Sequence, residues 1–491
     1  MQQRSRLALA TATAAVLTGG LLTFTATTAT AADSTTVAQA DFNGDGIGDV
    51  AFSAAGAYVS GLKNAGQVVV LYGTPTGVGA AKRSVLSQDS AGVPGGSEKG
   101  DAFGSETAYG DFNHDGYDDL AVGTPHEKVS GDTDGGTVAV LWGSANGLTG
   151  KGVTVPDPAA SSHDLWGKYL AAGDFDGDGR DDLAVANSSS TVYVYKGGIT
   201  ASGAAGTARS TVKPPVQSGG DTGPLNLTAG DVNGDGRTDL VVDGFETDSE
   251  YGWNANYFLP GTASGPSTAA AEKLRPGVIT AIGDVNGDGY GDIVSGAYWD
   301  HRTADGTTIP NSTDGGRAHL TYGSATGPAG TATLTQDTGN VPGGSEKGDF
   351  FAAELDLGDI NGDGYQDLVV GAPGEDLGGV EDTGALTVLY GSASGIDTTS
   401  GAQFFAQSTA GVPGGDEEYD SLGTDVKLDD VNGDGRADLI AGSWENAGNG
   451  SVLLLPSDGT RIVTTGSRTI SPSAAGVATT GTPNFGANFA D

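Results

Sequence analysis

Hydrophobic residues in this chain fall in short runs, not in long helical stripes. "LAVGTP" (120–125), "IVSGAY" (293–298) and "LVVGAP" (368–373) are β-branched and too short for a typical helix, so each predicts a buried strand. A second type of run follows, led by glycine and closed by a tight turn: "GQVVVLYGTPTG" (66–77), "GTVAVLWGSANG" (136–147) and "GALTVLYGSASG" (384–395). A more variable stretch then leads to a phrase such as "DAFGSETAYGD" (101–111) or "DLWGKYLAAGD" (164–174). Each unit therefore predicts four strands, and no amphipathic helix is expected beyond residue 32.

An aspartate-rich phrase sets the period. It occurs seven times, starting at residues 41, 111, 174, 231, 284, 359 and 430, with spacings of 70, 63, 57, 53, 75 and 71 residues. A period near 65 residues holds four strands and their turns, the mark of a repeat architecture.

The phrase carries its own chemistry. Position 1 is Asp41, Asp111, Asp174, Asp231, Asp284, Asp359 or Asp430. Position 3 is Asn43, Asn113, Asp176, Asn233, Asn286, Asn361 or Asn432, and position 5 is Asp45, Asp115, Asp178, Asp235, Asp288, Asp363 or Asp434. Position 9 is Asp49, Asp119, Asp182, Asp239, Asp292, Asp367 or Asp438. Glycine at position 6 permits a sharp turn. Position 7 varies (Ile47, Tyr117, Arg180, Arg237, Tyr290, Tyr365, Arg436), as expected if only its carbonyl is used. Oxygen ligands at this spacing suit a hard cation with six to eight ligands, calcium before magnesium. Neither Cys nor His recurs among them to favour zinc; His114, at position 4 of the second loop, is read as a spacer. An EF-hand is excluded because position 12 is never glutamate. The competing reading is a set of metal-free Asx turns. Seven copies of one ligand pattern favour about seven Ca²⁺ sites.

Residues 1–32 predict a cleaved secretion signal: Arg4 and Arg6, an apolar run, then "ATA" ending at Ala31. Residues 33–491 are then one repeat domain, secreted and monomeric, with no membrane span. The formal net charge is −39 and there is no cysteine, which excludes disulfides and thiol chemistry and argues against a nucleic-acid partner. Positions 1, 3, 5 and 9 of the loops alone hold 22 of the 62 acidic residues.

Phe103-Gly104, the loop from Asp111 to Asp119, and the Gly123–Pro125 and Gly371–Pro373 triplets resemble FG-GAP repeats. These build the seven-bladed β-propeller of integrin α-chain heads and of GPI-specific phospholipase D. The resemblance spans residues 33–491 and implies an all-β fold: a seven-bladed propeller of four-stranded blades, with calcium sites. It departs at Gly223-Pro224 and Pro276-Gly277, where Phe-Gly is expected. Before Asp41 that place falls to Asp33-Ser34, which fits no apolar strand. Phe485-Gly486 to Ala490 is therefore expected to supply the inner strand of the first blade, closing the ring by pairing the two ends of the chain.

Strand direction puts all seven aspartate loops on one face. The long inserts at 126–135, 243–256, 298–316 and 374–384 fall on the other, with Tyr251, Trp253, Tyr298, Trp299 and His301 as exposed-aromatic candidates. "VPGGSEKGD" (93–101, repeated at 341–349) reads as turn structure, and Glu98-Lys99 and Glu346-Lys347 as exposed pairs. No Gly-x-Ser-x-Gly and no His-Glu-x-x-His occurs, so no catalytic constellation is recognisable. The expected function is an extracellular binding or adhesion module, its protein or glycan partner on the face opposite the loops. A propeller lyase or hydrolase and a lectin-like sugar binder are the alternatives.

Overall fold

The computed structural model describes residues 39–200, 208–219, 222–249, 252–303 and 305–490. Residues 1–32, expected to be a secretion signal, and Asp33, Ser34 and Tyr251 lie outside them. The chain forms seven antiparallel sheets. Blade 2 is typical: Glu106–Gly110, Asp119–Thr124, Thr137–Leu141 and Gly152–Val155 pair in chain order. Blades 3 to 7 follow with first strands at Leu170–Gly173, Pro224–Gly230, Ile279–Gly283, Glu354–Gly358 and Asp425–Asp429. The helices among the described residues are single turns, such as Glu445–Gly448 and Pro472–Ala475.

Burial explains the sequence pattern. Second strands such as Asp367–Ala372 are buried at every residue, because neighbouring blades cover both faces. They therefore read as continuous apolar runs. Outer strands such as Arg83–Leu86 are partly exposed and lose that signature. First strands of neighbouring blades touch one another, which places them innermost.

Seven apolar clusters occupy the seven seams between blades. Phe103, Trp166, Phe351, Leu422 and Phe485, from the Phe-Gly phrase or its equivalent, wedge into five of them. The seam between blades 4 and 5 has the smallest, Val232, Val241, Phe258 and Ile293, and it is the seam where Pro276-Gly277 replaces the aromatic. The other departure, at Gly223-Pro224, lies at the start of the strand Pro224–Gly230, whose register shifts between Pro224 and Asn226.

Blade 1 has three strands of its own, Val50–Ala54, Gln67–Leu71 and Arg83–Leu86. Residues 486–490 complete it. Ser53 N donates to Asn488 O (2.8 Å), Gly486 N to Ser53 O (3.2 Å) and Ala490 N to Ala51 O (2.9 Å). Ala490 thus stands opposite Ala51 as Ala108 stands opposite Ala121 in blade 2. Phe485 and Phe489 pack edge-on against Phe52 at 4.8 and 5.8 Å.

Candidate metal centres and the opposite face

Each aspartate loop joins a first strand to a second strand, so all seven lie on one face. In the first loop, Asp41 Oδ1 accepts from Gly44 N (2.7 Å) and Asp45 N (3.1 Å), and Oδ2 accepts from Gly46 N (2.8 Å). Asp430 repeats this at 2.7, 3.1 and 2.7 Å. The position-1 carboxylate thus folds the loop around itself. Asp45, Asp115, Asp235, Asp288, Asp363 and Asp434 accept from the position-7 amide at 2.9 to 3.2 Å. Gly364 at position 6 has φ +88° with open space beside it. Backbone conformation, not crowding, demands glycine there.

Position 9 is the anchor. Asp49, Asp119, Asp182, Asp239, Asp292, Asp367 and Asp438 are fully buried. Each accepts, at 2.7 to 2.9 Å, from the amide just beyond the third strand: Gly73, Gly143, Gly197, Gly261, Gly323, Gly391 or Ser457. The glycine-led turn is therefore the loop's second wall, a partner that local sequence did not reveal. Burial, then the neighbouring carboxylates, pushes Asp119, Asp182 and Asp367 up to about 8 and the other four to about 7. Asn43, Asn113, Asn233, Asn286 and Asn432 donate Nδ2 to this aspartate, whereas Asn361 donates to Asp363.

The third loop differs. Asp174, Asp176 and Asp182 bring carboxylate oxygens within 4.8 Å of one another, and Lys196 Nζ pairs with Asp176. The lysine offsets the extra acid that this loop carries in place of asparagine. His114 sits at a left-handed φ of 61°.

Position 7 is more than a carbonyl. A Cβ on Gly44 would meet the Tyr117 ring at 2.7 Å; Gly177 faces Arg237, Gly234 Tyr290, Gly287 Tyr365, Gly362 Arg436 and Gly433 Ile47 in the same way. Six of the seven position-7 side chains therefore lie on the preceding loop; the seventh, Arg180, lies instead by Gly197 and Gly198 of its own blade. Backbone bonds follow the same path: Asp118 N to Asp41 O, Thr238 N to Asp174 O, Gly291 N to Asp231 O, Gln366 N to Asp284 O, Ala437 N to Asp359 O and Gly48 N to Asp430 O, at 2.9 to 3.2 Å. Between loops 2 and 3 the link is Asp111 N to Asp181 Oδ2 at 2.9 Å. The seven loops form a linked ring.

On the opposite face a cavity of about 420 Å³ opens beside the axis, lined by Ser53, Glu106, His126, Lys168, Tyr169 and Asn488 among others. Glu106, Lys168 and Asn488 come from first-strand starts and Phe-Gly phrases, positions the sequence suggested for strand packing only. Tyr298 packs edge-on with Trp299 (5.6 Å) and with Phe350 (6.1 Å), which is 41% exposed. Trp299 is thus partly packed, and Phe350 is the more accessible ring. Lys347 pairs with Asp314, a residue of the insert at 298–316, at 3.8 Å.

The FG-GAP repeat family matches residues 35–71, 103–141 and 351–389, and an FG-GAP-like repeat matches 174–242. The chain contains FG-GAP repeats. This FG-GAP propeller is 34% identical over 151 residues to phosphatidylinositol-glycan-specific phospholipase D of Rattus norvegicus (31% of this chain, 18% of that protein). It is 32% identical over 184 residues to integrin alpha pat-2 of Caenorhabditis elegans (36% and 14%), and 28% identical over 279 residues to integrin alpha-PS2 of Drosophila melanogaster (56% and 15%). The matched stretches span less than a fifth of those relatives. Among the described residues no helix is long and apolar enough to cross a membrane.

Proposed function

We propose that this FG-GAP propeller is a secreted, calcium-stabilised binding or adhesion module. The aspartate loops hold structural Ca²⁺, and the opposite face holds the ligand. The observation that carries the metal reading is the sevenfold repetition of one loop, with a capped position 1 and a fully buried, anchored position 9. Such buried carboxylates are costly without a counter-charge. In each site the aspartates at 1, 5 and 9, the position-3 side chain and the position-7 carbonyl would be the ligands. The position-3 asparagines would turn Oδ1 inward. The similarity to integrin alpha chains supports the adhesion reading.

The cavity with Glu106, His126, Lys168 and Asn488 favours a second reading, a lectin-like sugar site, because it mixes donors and acceptors beside the Tyr169 ring. A glycan and matrix-protein array, run with and without calcium, tests both. Retention of one ligand class that is lost on Lys168→Ala supports ligand binding at this face. Binding of neither class, or turnover of a glycan, overturns it.

A further inference from the structure

A second set of carboxylates lies on the ligand face, outside the aspartate loops. Its members come from different parts of the chain but repeat as a unit. At the junction of blades 1 and 2, Gln88 Nε2 donates to Glu127 Oε2 at 2.6 Å. At blades 5 and 6, Gln336 Nε2 donates to Glu375 Oε2 at 2.6 Å, and at blades 6 and 7, Gln407 Nε2 donates to Glu445 Oε1 at 2.5 Å. Beside each pair is a buried aspartate from the interblade phrase: Asp101, Asp349 or Asp420. The phrase that reads as a plain turn thus delivers an acid to meet another acid from the next blade's long loop.

These groups are short of compensation. The glutamines are 3 to 4% exposed, and the side-chain oxygen of all three lacks a hydrogen-bond partner. No ion pair among the described residues reaches the six carboxylates. Burial first, then repulsion between neighbouring acids, holds Asp349 at about 7 and Asp420 at about 6, and Asp101 is raised for the same reasons. At the first junction a cavity of about 40 Å³ lies between Gln88, Pro94, Gly95, Thr124, Glu127 and Thr137, room for a single small occupant. Its polar lining comes from Gln88, Glu127 and three threonines, Thr124, Thr137 and Thr154.

We propose that each Gln–Glu–Asp cluster binds a hard divalent cation, calcium by its all-oxygen donor set, and so clamps two blades together on the ligand face. An amide oxygen, a glutamate and an aspartate from two adjoining blades are the ligands. The reading is independent of the aspartate loops, which lie on the other face.

The test counts metal on the full chain. Equilibrium dialysis against calcium compares the wild type with the triple variant Glu127→Gln, Glu375→Gln, Glu445→Gln, which keeps shape and can keep the amide bond. Three fewer calcium equivalents are expected, with the metal-free melting temperature unchanged. Asp363→Ala, on the other face, should lower the count without touching these three. If the aspartate loops bind nothing, the three equivalents are all the calcium found. Crystals soaked in terbium should show anomalous peaks beside Gln88, Gln336 and Gln407. If the triple variant fails to fold, Glu375→Gln alone should remove one equivalent and one peak. Unchanged stoichiometry with no peak at these junctions overturns the proposal and leaves an amide–carboxyl clamp without metal.

Discussion

At the scale of single residues, His319 provides a pH reporter away from every aspartate loop. It is buried in the strand Arg317–Thr321, with Nε2 3.2 Å from Asn311 O and Nδ1 3.3 Å from Thr333 Oγ1. Burial holds its imidazole down at about 4, with smaller pressure from Arg317 and Arg275. The folded state therefore refuses a proton that the unfolded chain accepts near 6.5. His319 contributes fully above that pH, and the contribution is lost as pH falls from 6.5 towards 4, to a limit of about 3 kcal/mol. Denaturant melts across that window should show a steeper loss for wild type than for His319→Gln. Lys196 is the second residue to test. Its ammonium occupies Asp176, so Lys196→Gln should tighten calcium binding most at the third loop, read by calorimetric titration. Neither effect was legible in sequence. The first depends on burial, and the second on a lysine 20 residues downstream of the acid it meets.

At the scale of elements, the glycine in the second strands has a steric reason. A Cβ on Gly371 would lie 2.3 Å from Gly423 O of the next blade, and one on Gly442 2.0 Å from Gly486 O. Gly371→Val should push blades 6 and 7 apart and lower stability by about 1–3 kcal/mol in chemical denaturation, whereas the same change at Gly364 strains only a loop. The linked ring of loops makes a further prediction. Asp363→Ala should remove its own site and weaken the fifth and seventh, because Gln366 N bonds to Asp284 O and Ala437 N to Asp359 O. Equal affinity at all remaining sites by terbium titration would refute that coupling. Strands, loops and their order were legible because the apolar runs and the aspartate spacing are local signals. The position-7 contacts, the position-9 anchor and the opposite cavity were not, since each partner is set by how blades stack. Position 7 looked free because tyrosine, arginine and isoleucine all cover a glycine equally well.

At the scale of the whole molecule, closure depends on residues 486–490. A chain stopped at residue 480 should expose the inner edge of Val50–Ala54 and strip Phe485 and Phe489 from Phe52. Aggregation on expression is the expected outcome, and a melt like the full chain's would refute it. Chelation should lower the melting temperature as well, since calcium would favour the folded loops by mass action. The pairing of Ser53 with Asn488 also carries a consequence for synthesis. The strand Val50–Ala54 leaves the ribosome long before its inner partner, residues 486–490, is translated. Some 430 residues must be made and packed before that strand exists. Until residues 486–490 follow, every nascent propeller carries an unfinished blade, and a factor that shields residues 50–54 in that interval would act on a site present only in chains still being made.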